Sequence, residues 1–132
     1  MRQAVLADTG PLYAAADPDD ANHPRAVKEL QQLARVRREV MVCFPILLES
    51  YSLVLFRLGR KVASRWLREM NDAALVNPSP EDYRQAAALL HAFGDQSITL
   101  FDATVAVLAS RLAVPVWTYD HHFAVMRATV WR

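Results

Sequence analysis

"LAVPVWTYDHHF", residues 112–123, decides how this chain is read. Its first half is apolar and rich in β-branched residues, the composition of a strand buried on both faces. Its second half leaves that strand through a hydroxyl, a carboxylate and two histidines, and closes on a phenylalanine. The same grammar occurs at the other end of the chain. Residues 3–11, "QAVLADTGP", are an apolar run stopped by Asp8 and a Gly-Pro turn signal. Two buried strands that end in acidic turns, with helical segments between them, point to an α/β fold.

The intervening segments fit that frame. Residues 24–38 place Ala26, Val27, Leu30, Leu33 and Ala34 at helical spacing, after a polar, proline-punctuated stretch with carboxylate and amide N-cap candidates. Residues 40–44 form an apolar strand, and residues 45–58 a helix that is apolar on most sides. "GRKVASRWLREM", residues 59–70, is amphipathic: Val62, Trp66 and Met70 lie on one side, Lys61, Ser64, Arg65 and Arg68 on another. A short strand broken by prolines follows at 74–80, then a helix at 81–93 and a loop into an alanine-rich helix at 94–112. The strand at 114–118, a turn or short helix at 121–125 and a last strand at 128–132 complete the chain. This order predicts a three-layer α/β/α fold with a mainly parallel central sheet of about five strands. No repeat, low-complexity tract or linker interrupts it, so residues 1–132 are expected to form a single domain.

Composition narrows the functional classes. Of 132 residues, 53% are hydrophobic and 22% charged, the balance of a globular protein rather than a disordered one. The net charge of +1 gives no global field for nucleic acid or membrane, so any such contact must come from a local patch. The single cysteine, Cys43, cannot form an intrachain disulfide and reads as a small core residue in a reducing compartment. The N-terminal apolar run is too short for a signal peptide or a membrane span. A cytoplasmic protein with no membrane partner is expected.

Ligands of open α/β sheets bind beyond the C-terminal ends of the strands. Asp8 and Asp120 both stand there. Glu49 lies in the helix at 45–58, where its neighbours at −3, +4 and +7 are Ile46, Leu53 and Phe56, with no basic partner among them. Asp102 opens the alanine-rich helix, with Ala106 and Ala109 on its face. Each has a bland alternative: Asp8 as a turn former, Asp102 in a capping box with Thr99, Asp120 as the cap of its turn, and Glu49 as a solvated helix residue. Gathered together, four carboxylates would repel one another and partly stay protonated, unless hard divalent cations resolve the conflict. Such ions polarise phosphoryl oxygens and activate water, so an oxygen-only site suits phosphodiester hydrolysis.

"VLADTGPLYA", "ILLESYSLV", "DQSITLFDATVAVLASRL" and "VPVWTYDHHF" together resemble the PIN domain, particularly the toxin ribonucleases of VapBC toxin–antitoxin pairs. The resemblance spans nearly the whole chain, and "DDANHPRA" is similar to the loop before the family's second helix. It implies that Asp8, Glu49, Asp102 and Asp120 are catalytic residues holding one or two Mg²⁺ or Mn²⁺ ions. Thr9 and Thr118 match hydroxyl positions that hold waters or carboxylates, and Asp95 matches an extra acidic position. The resemblance also implies an RNA substrate, a cognate antitoxin and a homodimer. One departure stands out: the family often has glycine before its fourth strand, where this chain has "LAVPV".

The basic stripe Arg60, Lys61, Arg65 and Arg68, with Arg57 nearby, is the candidate RNA-contacting surface, against the simpler reading of a solvated helix face. Trp66 reads as core. Beside oxygen donors, His121 and His122 read as turn residues and Phe123 as a hydrophobic anchor, while His23 reads as loop structure. A non-catalytic PIN-like module for RNA binding or protein assembly is the alternative function. A phosphoacceptor receiver domain is disfavoured because "VMVCFPI" supplies no Asp and "VWTYD" no Lys. Aspartate-based phosphatases want a second Asp two residues after the first, which "DTG" lacks.

Overall fold

The computed structural model describes residues 3–132. The elements follow in the order β1 (Ala4–Ala7), α1 (Thr9–Ala16), α2 (His23–Arg35), β2 (Glu39–Cys43), α3 (Phe44–Leu58), α4 (Arg60–Met70), β3 (Ala74–Val76), α5 (Pro80–Ala92), α6 (Leu100–Leu112), β4 (Val116–Trp117) and α7 (His122–Val125). The strands are short, and β1 is unbroken in its hydrophobicity because helices cover both faces; its Val5, Leu6 and Ala7 are fully buried.

All pairings are parallel and the strand order is β3-β2-β1-β4. From β1 the chain moves outward in one direction to β2 and β3, then crosses back to place β4 on the other side of β1. Right-handed crossovers put the helices of these two journeys on opposite faces, α1–α4 on one and α5–α6 on the other. The reversal falls between β1 and β4. Their C-terminal ends therefore open a crevice at the point where such sheets bind ligands.

Four strands, rather than about five, make up this sheet. The expected strand at 128–132 contributes one bridge, Val116 to Val130, held by Val116 N–H to Thr129 O and Trp131 N–H to Val116 O, each 2.8 Å. β4 is only two residues long, and the chain reaches it from Arg127 in the left-handed region at φ 61°. That leaves room for a single residue of pairing. α2 also stops at Arg35, earlier than its apolar periodicity predicts, as the chain turns through Arg37 at φ 56°.

Two capping boxes start the helices on the far face: Ser79 with Asp82 for α5, and Thr99 with Asp102 for α6. The small residues Ala103, Ala106 and Ala109 bring α6 close to the sheet. Asp82 is also gripped by Arg111 from α6, with Nε to Oδ1 at 2.8 Å and a terminal guanidinium nitrogen to Oδ2 at 2.7 Å. This bidentate pair ties α5 to α6 and holds the Asp82 carboxyl at about 2, below the usual carboxylate range. α6 ends on Ala113 in the left-handed conformation (φ 56°, ψ 44°), a position that favours glycine.

Candidate functional site

Asp8 stands where β1 ends, at the N-cap position of α1, but its side chain makes no cap hydrogen bond. Its bland role as a turn former is therefore unfilled. Its carboxylate instead accepts from Thr118 Oγ1 at 2.8 Å, across the β1–β4 crevice. Thr118 Oγ1 in turn accepts from the backbone N–H of Asp120 at 3.0 Å. The end of β4 is thus aimed at Asp8 by its own side chain.

From the α3 side, Thr9 Oγ1 donates to Glu49 Oε1, and Ser50 Oγ lies 3.4 Å from Thr9 Oγ1 as a donor. Glu49 is consequently not a solvated helix residue. The first turn of α1 and the middle of α3 meet through it. Asp102 keeps its bland role: its Oδ2 accepts from Thr99 N–H and its own N–H donates to Thr99 Oγ1, both at 3.1 Å. That box leaves Oδ1 uncommitted and still brings the charge within reach of Asp8.

The electrostatics follow from this placement. Asp8 is 6% exposed. Burial is the largest cause that lifts its carboxyl from 3.8 to about 6, and the charges of Asp102 and Glu49 raise it further. The Thr118 hydroxyl and the Thr9 backbone N–H only partly offset this. Among the described residues, no cation stands with the main groups acting on it. A buried carboxylate between two others, without a positive partner, costs stability in the bare protein.

Asp120 also keeps its bland role, since its Oδ1 accepts from His122 N–H at 2.9 Å. Asp120, His121 and His122 place one donor atom each within 4.8 Å of one another. Sequence adjacency produces much of that proximity, and His121 is 80% exposed. His122 Nδ1 lies 2.9 Å from Asp120 Oδ1 yet is buried without an aligned hydrogen bond. No three of the four carboxylates Asp8, Glu49, Asp102 and Asp120 share a 4.8 Å cluster among the described residues. Their donor set of oxygens fits a hard divalent cation reached in part through retained water, the habit of Mg²⁺.

The other expected residues lie further out. Asp95 sits exposed in the loop between α5 and α6 and touches none of the four carboxylates through a hydrogen bond. Arg60, Lys61, Arg65 and Arg68 are exposed on α4, and none forms an ion pair among the described residues. Arg65 lines a groove with Leu12, Leu30, Trp66 and Glu69 rather than the acidic crevice. Trp66 is core, at 5% exposure, and Phe123 is fully buried as an anchor. His23 Nδ1 lies 2.7 Å from Ala14 O, a loop-to-helix contact.

Two participants escaped the sequence reading. Ser50 is fully buried beside Glu49 and carries no signal apart from its neighbour. Glu29, on α2, accepts from both Trp117 Nε1 and Tyr119 Oη. A Trp and a Tyr on the same face of the β4 end were the available hint, since both need an acceptor when buried.

The sequence profile of the PIN domain matches residues 5–128. No curated protein sequence matches the chain significantly. Among solved structures, the fold resembles VapC20 of Mycobacterium tuberculosis, a sarcin–ricin loop cleaving toxin, with a TM-score of 0.84 and 19% identity over 97% of this chain and 98% of that one. It also resembles VapBC2 of Rickettsia felis, bound to a DNA fragment from its promoter (TM-score 0.77, 14% identity, 98% of each chain). FitAcB of Neisseria gonorrhoeae is a third (TM-score 0.72, 18% identity, 97% of this chain and 96% of that one). At these identities the structures speak for the fold, while the profile covers most of the sequence: the chain belongs to the PIN domain family.

Proposed function

We propose that this protein is a metal-dependent endoribonuclease, acting in the cytoplasm as the toxin of a type II toxin–antitoxin pair. The observation that carries the reading is Asp8: a buried carboxylate flanked by Glu49 and Asp102, with no neutralising cation beside it among the described residues. A module that only binds RNA or assembles proteins has no use for that arrangement, which disfavours the non-catalytic alternative. One or two Mg²⁺ or Mn²⁺ ions, held by Asp8, Glu49, Asp102 and Asp120, would polarise a phosphoryl oxygen and lower the pKa of attacking water. Thr118 fixes the rotamer of Asp8, and Thr9 fixes that of Glu49. Asp95 remains a supporting acid at the rim.

Arg60, Lys61, Arg65 and Arg68 are exposed, form no ion pair among the described residues, and are available to RNA phosphates. An antitoxin is proposed because solved relatives of this fold include VapBC2, a complex with its promoter DNA. A homodimer is proposed on a separate observation. Phe44, Leu48, Phe56, Leu100 and Phe101 form an exposed apolar face across α3 and α6, with Phe56 at 91% and Leu48 at 65% exposure. Exposed apolar patches of this kind mark surfaces where another protein docks. Apart from Glu49 at its edge, the face carries no charge to repel a second copy. Among the described residues no helix is long and apolar enough to cross a membrane.

The test is cleavage of end-labelled structured and single-stranded RNAs by the purified protein, with Mg²⁺, Mn²⁺ or EDTA, beside Asp120→Asn. Metal-dependent cutting is expected, and the variant should lose at least the about 100-fold that even outer partners of metal ligands reach. Equal cutting by the variant, or by the parent in EDTA, would remove the assignment. In sedimentation the parent should run at twice the chain mass; a monomer would remove the dimer.

A further inference from the structure

The strand end that presents Thr118 and Asp120 has two faces, because successive residues point to opposite sides. Thr118 reaches the acidic crevice. Trp117 and Tyr119 reach the other side, and there both meet one side chain, Glu29 of α2. Trp117 Nε1 donates to Glu29 Oε1 at 3.1 Å, and the Tyr119 hydroxyl donates to the same oxygen. Arg25, one turn earlier on α2, sits 3.6 Å from Glu29 Oε2 and lays its guanidinium 4.1 Å over the Tyr119 ring. The Glu29 side chain is only 15% exposed. Gly10, at the start of α1, lies beside the Tyr119 ring: a Cβ there would stand in ordinary contact, 3.9 Å from Cδ2.

We infer that Glu29 is a positioning residue for the catalytic rim: it clamps Trp117 and Tyr119 from behind so that Thr118 and Asp120 hold their places in front. The reasoning is mechanical. β4 has two residues and only parallel pairing to β1 on one side, with a single bridge on the other. Backbone hydrogen bonds alone hold residues 118–120 loosely: Asp120 O accepts from Phe123 N–H at a long 3.4 Å. Trp117 O accepts from Asp8 N–H at 2.9 Å, which pins the strand up to 117 and no further. Beyond that point the buried Phe123 anchors the far end through its N–H to Asp120 O, while the Glu29–Tyr119 contact on one face and the Thr118–Asp8 contact on the other fix the residues between. Lost order at Tyr119 would therefore appear one residue on, at the Asp120 N–H that donates to Thr118 Oγ1.

This inference rests on the metal-site reading of Asp120, so its test carries a readout independent of metal. Amide hydrogen exchange is followed at Asp120 and at Leu6, whose N–H donates to Pro115 O in the core of the sheet. Mn²⁺ affinity is measured in parallel on the full chain. Glu29→Leu should speed exchange at Asp120 by about 10-fold and weaken Mn²⁺ binding by a similar factor, within the range of outer-partner losses, while Leu6 is unchanged. Glu29→Gln keeps an oxygen for both donors and should restore most of each effect, which a general loss of stability would not do. Should Glu29→Leu not fold, Tyr119→Phe, which removes one donor and keeps the ring, must loosen Asp120 in the same direction. Unchanged Asp120 exchange in these variants, or losses shared equally by Leu6 and by Glu29→Gln, would overturn the clamp. A parent that binds no Mn²⁺ while Glu29→Leu still frees Asp120 would sink the metal-site reading and leave the clamp standing.

Discussion

Asp8 and Asp82 are both buried aspartates near helix starts, at 6% and 2% exposure, and they have opposite fates. Asp82 accepts a bidentate guanidinium from Arg111 and the Ser79 N–H, and its carboxyl is held at about 2. Asp8 accepts one hydroxyl and faces two more carboxylates, and its carboxyl is pushed up to about 6. Burial acts on both in the same direction; the difference is the partner. Where α5 and α6 must be joined, the chain supplies a cation. Where β1 and β4 diverge it withholds one, and that unmet charge marks the crevice as a place for a ligand rather than a joint.

The comparison breaks most severely if the Asp82 cation is removed. Arg111→Met should destabilise the fold at neutral pH, since it strands the Asp82 carboxylate without its cation. Because Asp82 is held low in the fold, the pair's contribution is full above the unfolded pKa of 3.8 and is lost as pH falls toward about 2. The deficit of Arg111→Met should therefore shrink in acid. Urea titrations at pH 7 and pH 3 measure this, and an equal deficit at both would deny Asp82 its electrostatic role.

Asp8 gives the opposite slope. Between 3.8 and about 6 the folded chain retains a proton that the unfolded chain has released, so stability of the metal-free protein falls as pH rises through that window. The total loss is about 3 kcal/mol at most. Asp8→Asn should remove much of that slope and make the metal-free protein about 2 kcal/mol more stable at pH 7, while abolishing cleavage. Thermal melts in EDTA from pH 4 to 8 are the check; a variant less stable than the parent at pH 7 would mean that Asp8 is satisfied after all.

The smallest expected effect sharpens the contrast by separating charge strain from backbone strain. Ala113 ends α6 at φ 56°, where glycine carries no Cβ penalty. Ala113→Gly should add up to about 1 kcal/mol, equally at pH 5 and pH 8. A pH-dependent gain would tie this turn to the carboxylates.

Much of the fold was legible because it depends on local pattern. Val5–Ala7 read as a two-sided strand, the prolines around Ser79 read as the break between a strand and a helix, the Thr99–Asp102 spacing read as a candidate capping box, and Asp8 and Asp120 fell at strand ends by position alone. The final strand was misread because its apolar residues carry no record of how long its neighbour is; β4 offers it one bridge. Glu29 was missed because it is a glutamate on an amphipathic helix, indistinguishable by spacing from its solvated neighbours.

By itself, then, the sequence determined the order of elements, the layered class and which carboxylates stand at strand ends, since hydrophobic period and turn chemistry act within a few residues. Only the tertiary structure decided which acids meet a cation and which do not. Arg111 reaches back 29 residues to Asp82, Thr118 spans 110 to Asp8, and Trp117 spans 88 to Glu29. Those encounters follow from the strand order β3-β2-β1-β4, a product of packing and crossover handedness rather than of any local segment.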